Sequence, residues 1–204
     1  MNQMRFLPID ATFVFQELCA VGGVSIPLMG RRLARKLALA SLECAFTVQP
    51  SVFGPRNVSQ NFSTARRIPH DSILAAVPQT LARHITNAFS AIRPSPWHCP
   101  LEFNRNNLQS YPASSCGIGR HRDFTSDMNV VAILNIEGER DLRIFRTTHD
   151  VDGIGLDTSP GRLILFRAMG FNGATKRDRP EHMVREVPHH SLAYVCRHST
   201  DPTS

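Results

Sequence analysis

The run His121-Arg122-Asp123 sets an imidazole and a carboxylate two residues apart. On a strand or at its exit, positions i and i+2 point the same way, so both side chains can reach one point. A metal centre built on that pair needs a third ligand, and the downstream half offers His149, His182, His189, His190 and His198. Of these, His182 stands out, because Arg179-Pro180-Glu181 leads into it and a short apolar strand follows. Two imidazoles and one carboxylate on one face of an octahedron leave open positions. That arrangement suits ferrous iron binding a cosubstrate and dioxygen. The same spacing also describes a plain hydrogen-bonded His/Asp pair at a strand end, so the elements around it decide between the two.

The texture of the chain changes near residue 100. Before it, Arg31 to Phe46 carries Leu33, Leu37 and Ser41 or Leu42 at helical spacing, with Ala34, Ala38 and Ala45 adding propensity. Ile73, Leu74, Val77, Leu81, Ile85, Phe89 and Ile92 repeat at about 3.6 residues behind a capping Asp71, and Pro78 must bend or divide that stretch. Gly22 to Pro27 reads as a short strand entering the first of these helices. Beyond the Pro94-Ser95-Pro96-Trp97 breaker, strands are expected at 108–111, 129–136, 141–145, 162–167, 183–187 and 191–196. Short antiparallel strands at such spacing imply a sandwich or barrel. The expected architecture is α+β and mainly β: a helical layer over 1–98 and a β-barrel core over 99–198, forming one domain across 1–204.

The composition agrees with a globular fold. The 204 residues are 42% hydrophobic and 20% charged, which excludes collagen, coiled coil or wholesale disorder. Five scattered cysteines with no CxxC pair point to free thiols in a reducing compartment rather than a disulfide framework or zinc ribbon. No apolar run is long enough for a membrane span, so a soluble cytoplasmic protein is expected. The net charge of +6 gathers at Arg31/Arg32/Arg35/Lys36, at Arg66/Arg67 and at Lys176/Arg177/Arg179. Such clusters permit a polyanion partner and equally describe solvated faces.

The order of blocks carries more than any single motif. Tyr111 stands ten residues before His121, and Gly117-Ile118-Gly119-Arg120 leads into the His/Asp pair. Gly138-Glu139-Arg140-Asp141, Pro160 to Phe166, Arg179-Pro180-Glu181-His182 and Ser191-Leu192 then follow in turn. In this order the chain resembles the Fe(II)/2-oxoglutarate-dependent dioxygenase superfamily over about residues 100–198, and within it looks most like the AlkB-like branch. The resemblance implies a double-stranded β-helix (jelly-roll) with iron held by His121, Asp123 and His182. It implies 2-oxoglutarate and dioxygen as cosubstrates, succinate and CO2 as products, and hydroxylation of a C–H bond. Where the carbon is attached to nitrogen, the alkyl group then leaves as an aldehyde.

A bound 2-oxoglutarate needs a cation for its far carboxylate. AlkB-like proteins place two arginines on the last strand, three residues either side of a Leu. Counted from Leu192 those positions are His189 and Val195, a departure from the pattern. The nearest arginine on the same strand face is Arg197, with Ser191, Ala193 and Val195 leaving room beside it, and Arg185 stands in reserve. Tyr111 matches a family tyrosine that touches 2-oxoglutarate, although Gln109 replaces the asparagine before it. Arg197, Tyr111 and Ser191 are therefore the expected cosubstrate contacts. The substrate is either a small metabolite or an alkylated base in a nucleotide or nucleic acid. For base stacking the aromatic candidates are Phe124, Phe171 and Trp97. Segments 49–67 and 171–179 have the composition of lids. The competing readings are a barrel that binds ligand or metal without turnover, and a zinc hydrolase on the same three ligands.

Overall fold

The structure is a computed structural model and describes residues 4–147 and 149–201. The chain opens with α1 (Ala11–Ala20), whose N-terminus is capped by the Asp10 carboxylate accepting from the Phe13 amide. Next come β1 (Gly23–Pro27) and α2 (Arg31–Ser41). The second helix stops five residues before the expected Phe46. Its last carbonyls are closed by three-residue turns from Leu42, Glu43 and Cys44, and the chain must then extend because Thr47 pairs with Thr64.

Segment 49–67, expected as a lid, is strand-bearing. It follows β2 (Thr47–Val48) and contains β3 (Val52–Phe53), β4 (Val58–Ser59) and β5 (Ser63–Ala65). A short 3₁₀ turn, Ile73–Ala76, leads into α3 (Val77–Ala88). The cap of that turn is Ser72, whose hydroxyl accepts from the Leu74 amide, rather than Asp71. Pro78 divides the stretch as expected, lying in the first helical turn, where its missing N–H leaves no bond unmade.

The remaining strands are β6 (Arg105–Tyr111), β7 (Ile118–His121), β8 (Asp127–Glu137), β9 (Leu142–Phe145), β10 (Ile154–Leu156), β11 (Arg162–Arg167), β12 (Glu181–Val184) and β13 (Ser191–Ser199). They form two facing antiparallel sheets. One runs β1-β11-β8-β13-β6-β5-β2 and the other β10-β9-β12-β7. From β6 onward the chain passes back and forth between the sheets, which is the winding of a double-stranded β-helix. The expected jelly-roll is therefore present, and β1, β5 and β2 widen its larger sheet.

Period-two alternation decides which residues face inward. Along β11, Ile164 and Phe166 join Tyr111, Val131, Ile144, Val184 and Val195 between the sheets. Leu163 and Leu165 point the other way, with Leu192, Tyr194 and Cys196 of β13, onto Leu18 of α1, Leu37 of α2 and Leu81 and Ile85 of α3. The helices thus cover the outer face of the larger sheet and leave the barrel interior to the site. Among the described residues, no helix is long and apolar enough to cross a membrane.

One glycine sets the approach of the strands that carry the site. Gly117, at φ +73°, lets the chain enter β7 against β12, and a Cβ there would lie 2.1 Å from the Val184 carbonyl oxygen. Gly117→Ala is expected to cost about 2 kcal/mol, a fall in Tm of roughly 4–8 °C, measured by thermal denaturation.

Candidate metal centre

β7 and β12 are paired so that His121 lies directly across from His182. Cross-strand neighbours on one sheet face meet without distortion, and here the two ring centroids are 4.4 Å apart. Asp123 follows two residues after His121 and brings its Oδ2 to 3.6 Å from His182 Nε2. One donor atom from each of the three residues lies within 4.8 Å of the others. Among the described residues this is the only such cluster of three or more. His149, His189, His190 and His198 stay outside it. The first three are exposed, with His190 Nε2 3.0 Å from Ser110 Oγ, and His198 packs against Cys99 instead.

The surroundings prepare these groups to ligate. His121 Nδ1 lies 2.8 Å from the Gly119 carbonyl, whose oxygen can only accept, so that nitrogen carries a proton and Nε2 is the ring atom left to ligate. His182 stacks on Phe166 at 4.3 Å. Burial first, and then His121, lowers its pKa to about 3, so it is neutral at physiological pH. Burial opposes ionisation of Asp123, but His182, Arg197 and His121 together overcome it and hold the carboxyl below its usual range. Two imidazoles and one carboxylate fit a divalent first-row metal, leaving net positive charge at the site for an anionic ligand.

Arg197 stands at this metal end of the barrel. It donates from Nη2 to Asp123 Oδ1 at 3.3 Å and from Nη1 to Asn107 Oδ1 at 3.2 Å, and its Nε is 3.6 Å from Asp127 Oδ2. Asp127 is fully buried, bonded to Arg105 at 2.5 Å, and burial followed by the charge of Asp123 raises its pKa to about 6. Arg197 is thus occupied by two carboxylates, one of them a candidate metal ligand. Arg197→Gln is expected to weaken metal affinity about tenfold by freeing the Asp123 carboxylate, while Arg197→Lys restores part of it. Metal titration of the three proteins checks this.

The opposite end holds a different cation. Ser191 and Tyr111 are register partners on β13 and β6. Arg140, in the turn between β8 and β9, donates from Nη1 to Ser191 Oγ at 3.0 Å and lies 5.5 Å from the Tyr111 ring centroid. Its main chain is clasped on both sides by the Thr158 hydroxyl. Arg140 is 5% exposed, and among the described residues no carboxylate lies within ion-pair distance of it. Sequence reasoning notes the Gly138–Asp141 block but assigns Arg140 no role, since nothing local marks its side chain as buried. Tyr111 turns its hydroxyl to Gln109 Oε1 at 3.2 Å. Arg185 is exposed beside Asp141, as a surface residue.

The mouth of the barrel also differs from expectation. Phe171 is 0% exposed, and half-buried Trp97 packs its ring against it at 5.4 Å, so neither offers a stacking surface. Phe124 remains exposed beside the site, with Phe53 of the β3–β4 hairpin facing it edge-on at 6.0 Å. Arg122 points away from its flanking ligands and pairs with Glu181 at 3.1 Å.

No protein-family model matches the chain, and no curated protein matches it by sequence. Solved structures do match. A Pseudomonas putida prolyl-4-hydroxylase superposes with a TM-score of 0.62 at 17% identity, covering 94% of this chain and 100% of that one. A Trichoplax adhaerens prolyl hydroxylase, in complex with a peptide fragment of the hypoxia inducible factor oxygen degradation domain, gives 0.62 at 17% identity, covering 94% and 90%. A 2OG-Fe(II) oxygenase family oxidoreductase from Burkholderia pseudomallei gives 0.63 at 11% identity, covering 98% and 95%. At these identities the likeness establishes the architecture: the chain has the jelly-roll fold of the 2-oxoglutarate/Fe(II) oxygenases.

Proposed function

We propose that the protein is an Fe(II)- and 2-oxoglutarate-dependent oxygenase that hydroxylates a C–H bond of its substrate. The observation that carries this reading is Arg140, a buried guanidinium with no carboxylate partner among the described residues, set in the same barrel interior as His121, Asp123 and His182. A buried charge left unpaired costs several kcal/mol, and an anionic ligand that enters the barrel removes the cost. The three ligands at one end and the cation at the other suit a 2-oxo dicarboxylate, bound by its oxo-acid end at the metal and by its far carboxylate at Arg140.

In this reading His121, Asp123 and His182 hold the metal, and Arg197 steadies Asp123. Arg140 receives the far carboxylate through its fork, with the hydroxyls of Ser191 and Tyr111 beside it. The anchoring role expected for Arg197 therefore passes to Arg140, and Arg197 becomes a positioning residue. Val131, Ile144, Phe166 and Val195 line the barrel interior and keep water from the bound dicarboxylate. Ferrous iron, which His121, Asp123 and His182 would hold, would supply the redox chemistry that couples reduction of dioxygen to oxidative decarboxylation of 2-oxoglutarate, with succinate, CO2 and a hydroxylated substrate as products. Where the hydroxylated carbon bears nitrogen, as in the AlkB-like reading, the product releases an aldehyde. The prolyl hydroxylase neighbours extend the range of substrates to peptides, beside the small molecule or nucleotide expected from sequence.

The purified chain, given ferrous iron and 2-oxoglutarate in air, is expected to release succinate even without its prime substrate. Absence of succinate together with absence of 2-oxoglutarate binding would overturn the proposal.

A further inference from the structure

Against the metal-bearing segments lies a cavity of about 150 Å³. Its walls include five arginines, Arg122, Arg146, Arg167, Arg177 and Arg179, against two carboxylates, Asp178 and Glu181. Both acids are already engaged. Glu181 is gripped by Arg120 at 2.7 Å and by Arg122, and Asp178 accepts from the Thr175 amide and hydroxyl, each at 2.7 Å.

Two of the arginines are held by neutral acceptors. Arg167 donates to the carbonyls of Leu18, Cys19 and Asp178, and Arg179 to those of Lys176 and Asp123. Main-chain carbonyls fix a guanidinium in place without cancelling its charge. Arg146 and Arg177 are exposed at the rim, and among the described residues no carboxylate pairs with either. The wall is also part of the metal site's frame. Arg122 sits between two ligands in the chain, Arg179 bonds the carbonyl of Asp123, and Glu181 precedes His182.

We propose that this cavity is a phosphate-binding subsite that docks an anionic substrate beside the metal centre. It rests on the oxygenase reading for the word substrate, while phosphate binding itself does not require iron. Three phosphate features fit. Five cations against two committed anions leave an excess that a dianion neutralises better than a single carboxylate does. Guanidinium forks match the tetrahedral oxygens bidentately. A volume equal to about five waters of liquid holds one phosphate group and its ester atom, not a polymer.

The test is calorimetric titration of the metal-free full chain with inorganic phosphate at low salt, followed by phenyl phosphate and, as the neutral control, phenol. Saturable 1:1 phosphate binding is expected, falling with added salt, with phenyl phosphate competing for the same site and phenol silent. The double variant Arg146→Ala/Arg177→Ala is expected to bind phosphate at least tenfold more weakly. Its circular dichroism and melting temperature should match the parent, since both side chains are exposed. No saturable binding, or affinity unaltered in the variant, would remove the subsite. Phosphate binding that phenyl phosphate cannot displace would also overturn it, by making the cavity a site for the free ion alone. Because iron is omitted, any of these results stands apart from the success or failure of the oxygenase assay.

Discussion

Arg140→Met is expected to weaken 2-oxoglutarate binding by roughly 30- to 1,000-fold while leaving the folded protein as stable as the parent, or more so. The two halves of this outcome have one cause. In the unliganded protein the guanidinium is buried against Tyr111 and Ser191, with no counter-charge among the described residues. Replacing it with an apolar chain of similar length removes a desolvated charge at the expense of one hydrogen bond to a neutral hydroxyl, an exchange that is commonly neutral or stabilising. In the complex, the same change strips the far carboxylate of a charge-assisted fork. That loss is worth about 2–4 kcal/mol, or roughly 30- to 1,000-fold in affinity. Calorimetry with 2-oxoglutarate and a thermal melt read both quantities. A residue with only a structural role would lower the melting temperature and leave the affinity alone. Arg140→Lys is expected to recover part of the affinity, since it keeps the charge and loses the fork.

Asp123→Ala is expected to lower Fe(II) affinity by at least a hundredfold, with the fold preserved. The carboxylate is the sole anion among the three proposed ligands, so its removal leaves two imidazoles and nothing to offset the ion's charge. The fold survives because Arg197 keeps Asp127 and Asn107 as partners after Asp123 is lost. Iron titration with circular dichroism as a control checks this. Undiminished iron affinity in the variant would remove the triad from the account.

The legible parts of this molecule are those whose signals are local. Alternation in Leu163-Ile164-Leu165-Phe166 marks a strand between two apolar layers, and the structure puts its two faces in two different clusters. His121 and Asp123 share a short spacing, and His182 is recoverable from the order of blocks downstream. Where meaning depends on distant partners, the sequence is silent. Arg140 acts through its reach to Ser191, 51 residues away, and no pattern around it announces burial. Phe171 stands beside a polar loop and so resembles a lid residue, yet Phe15, Phe89 and Trp97 from the first half of the chain enclose it.

β2 to β5, two or three residues each, are too short to show any period, and only their partners reveal them as strands. α1 lacks a sequence signal for another reason. Its apolar residues ring the helix, with Phe13 exposed while Val14 and Leu18 are buried, so no single face stands out. Arg197 shows how a face can be legible when a role is not. Its strand face was readable from alternation, whereas its engagement by Asp123 and Asp127 depends on the β7–β8 connection.

The cavity of arginines beside the ligands fits the same picture of a barrel that presents positive charge to its visitors. Summed fields of this kind raise the local concentration of anionic ligands and fall off with salt. Of the basic clusters, Arg177 and Arg179 line this cavity, while Arg31, Arg32, Arg35 and Lys36 lie on α2.

The most direct measurement is an anaerobic titration of the metal-free protein with one equivalent of ferrous iron and then 2-oxoglutarate, followed in the visible spectrum. The account predicts a charge-transfer band from the 2-oxo acid chelating the iron, saturating at one equivalent, absent in Asp123→Ala and requiring far more 2-oxoglutarate in Arg140→Met. A parent protein that binds neither ligand, or a band of equal strength and midpoint in all three proteins, would contradict it.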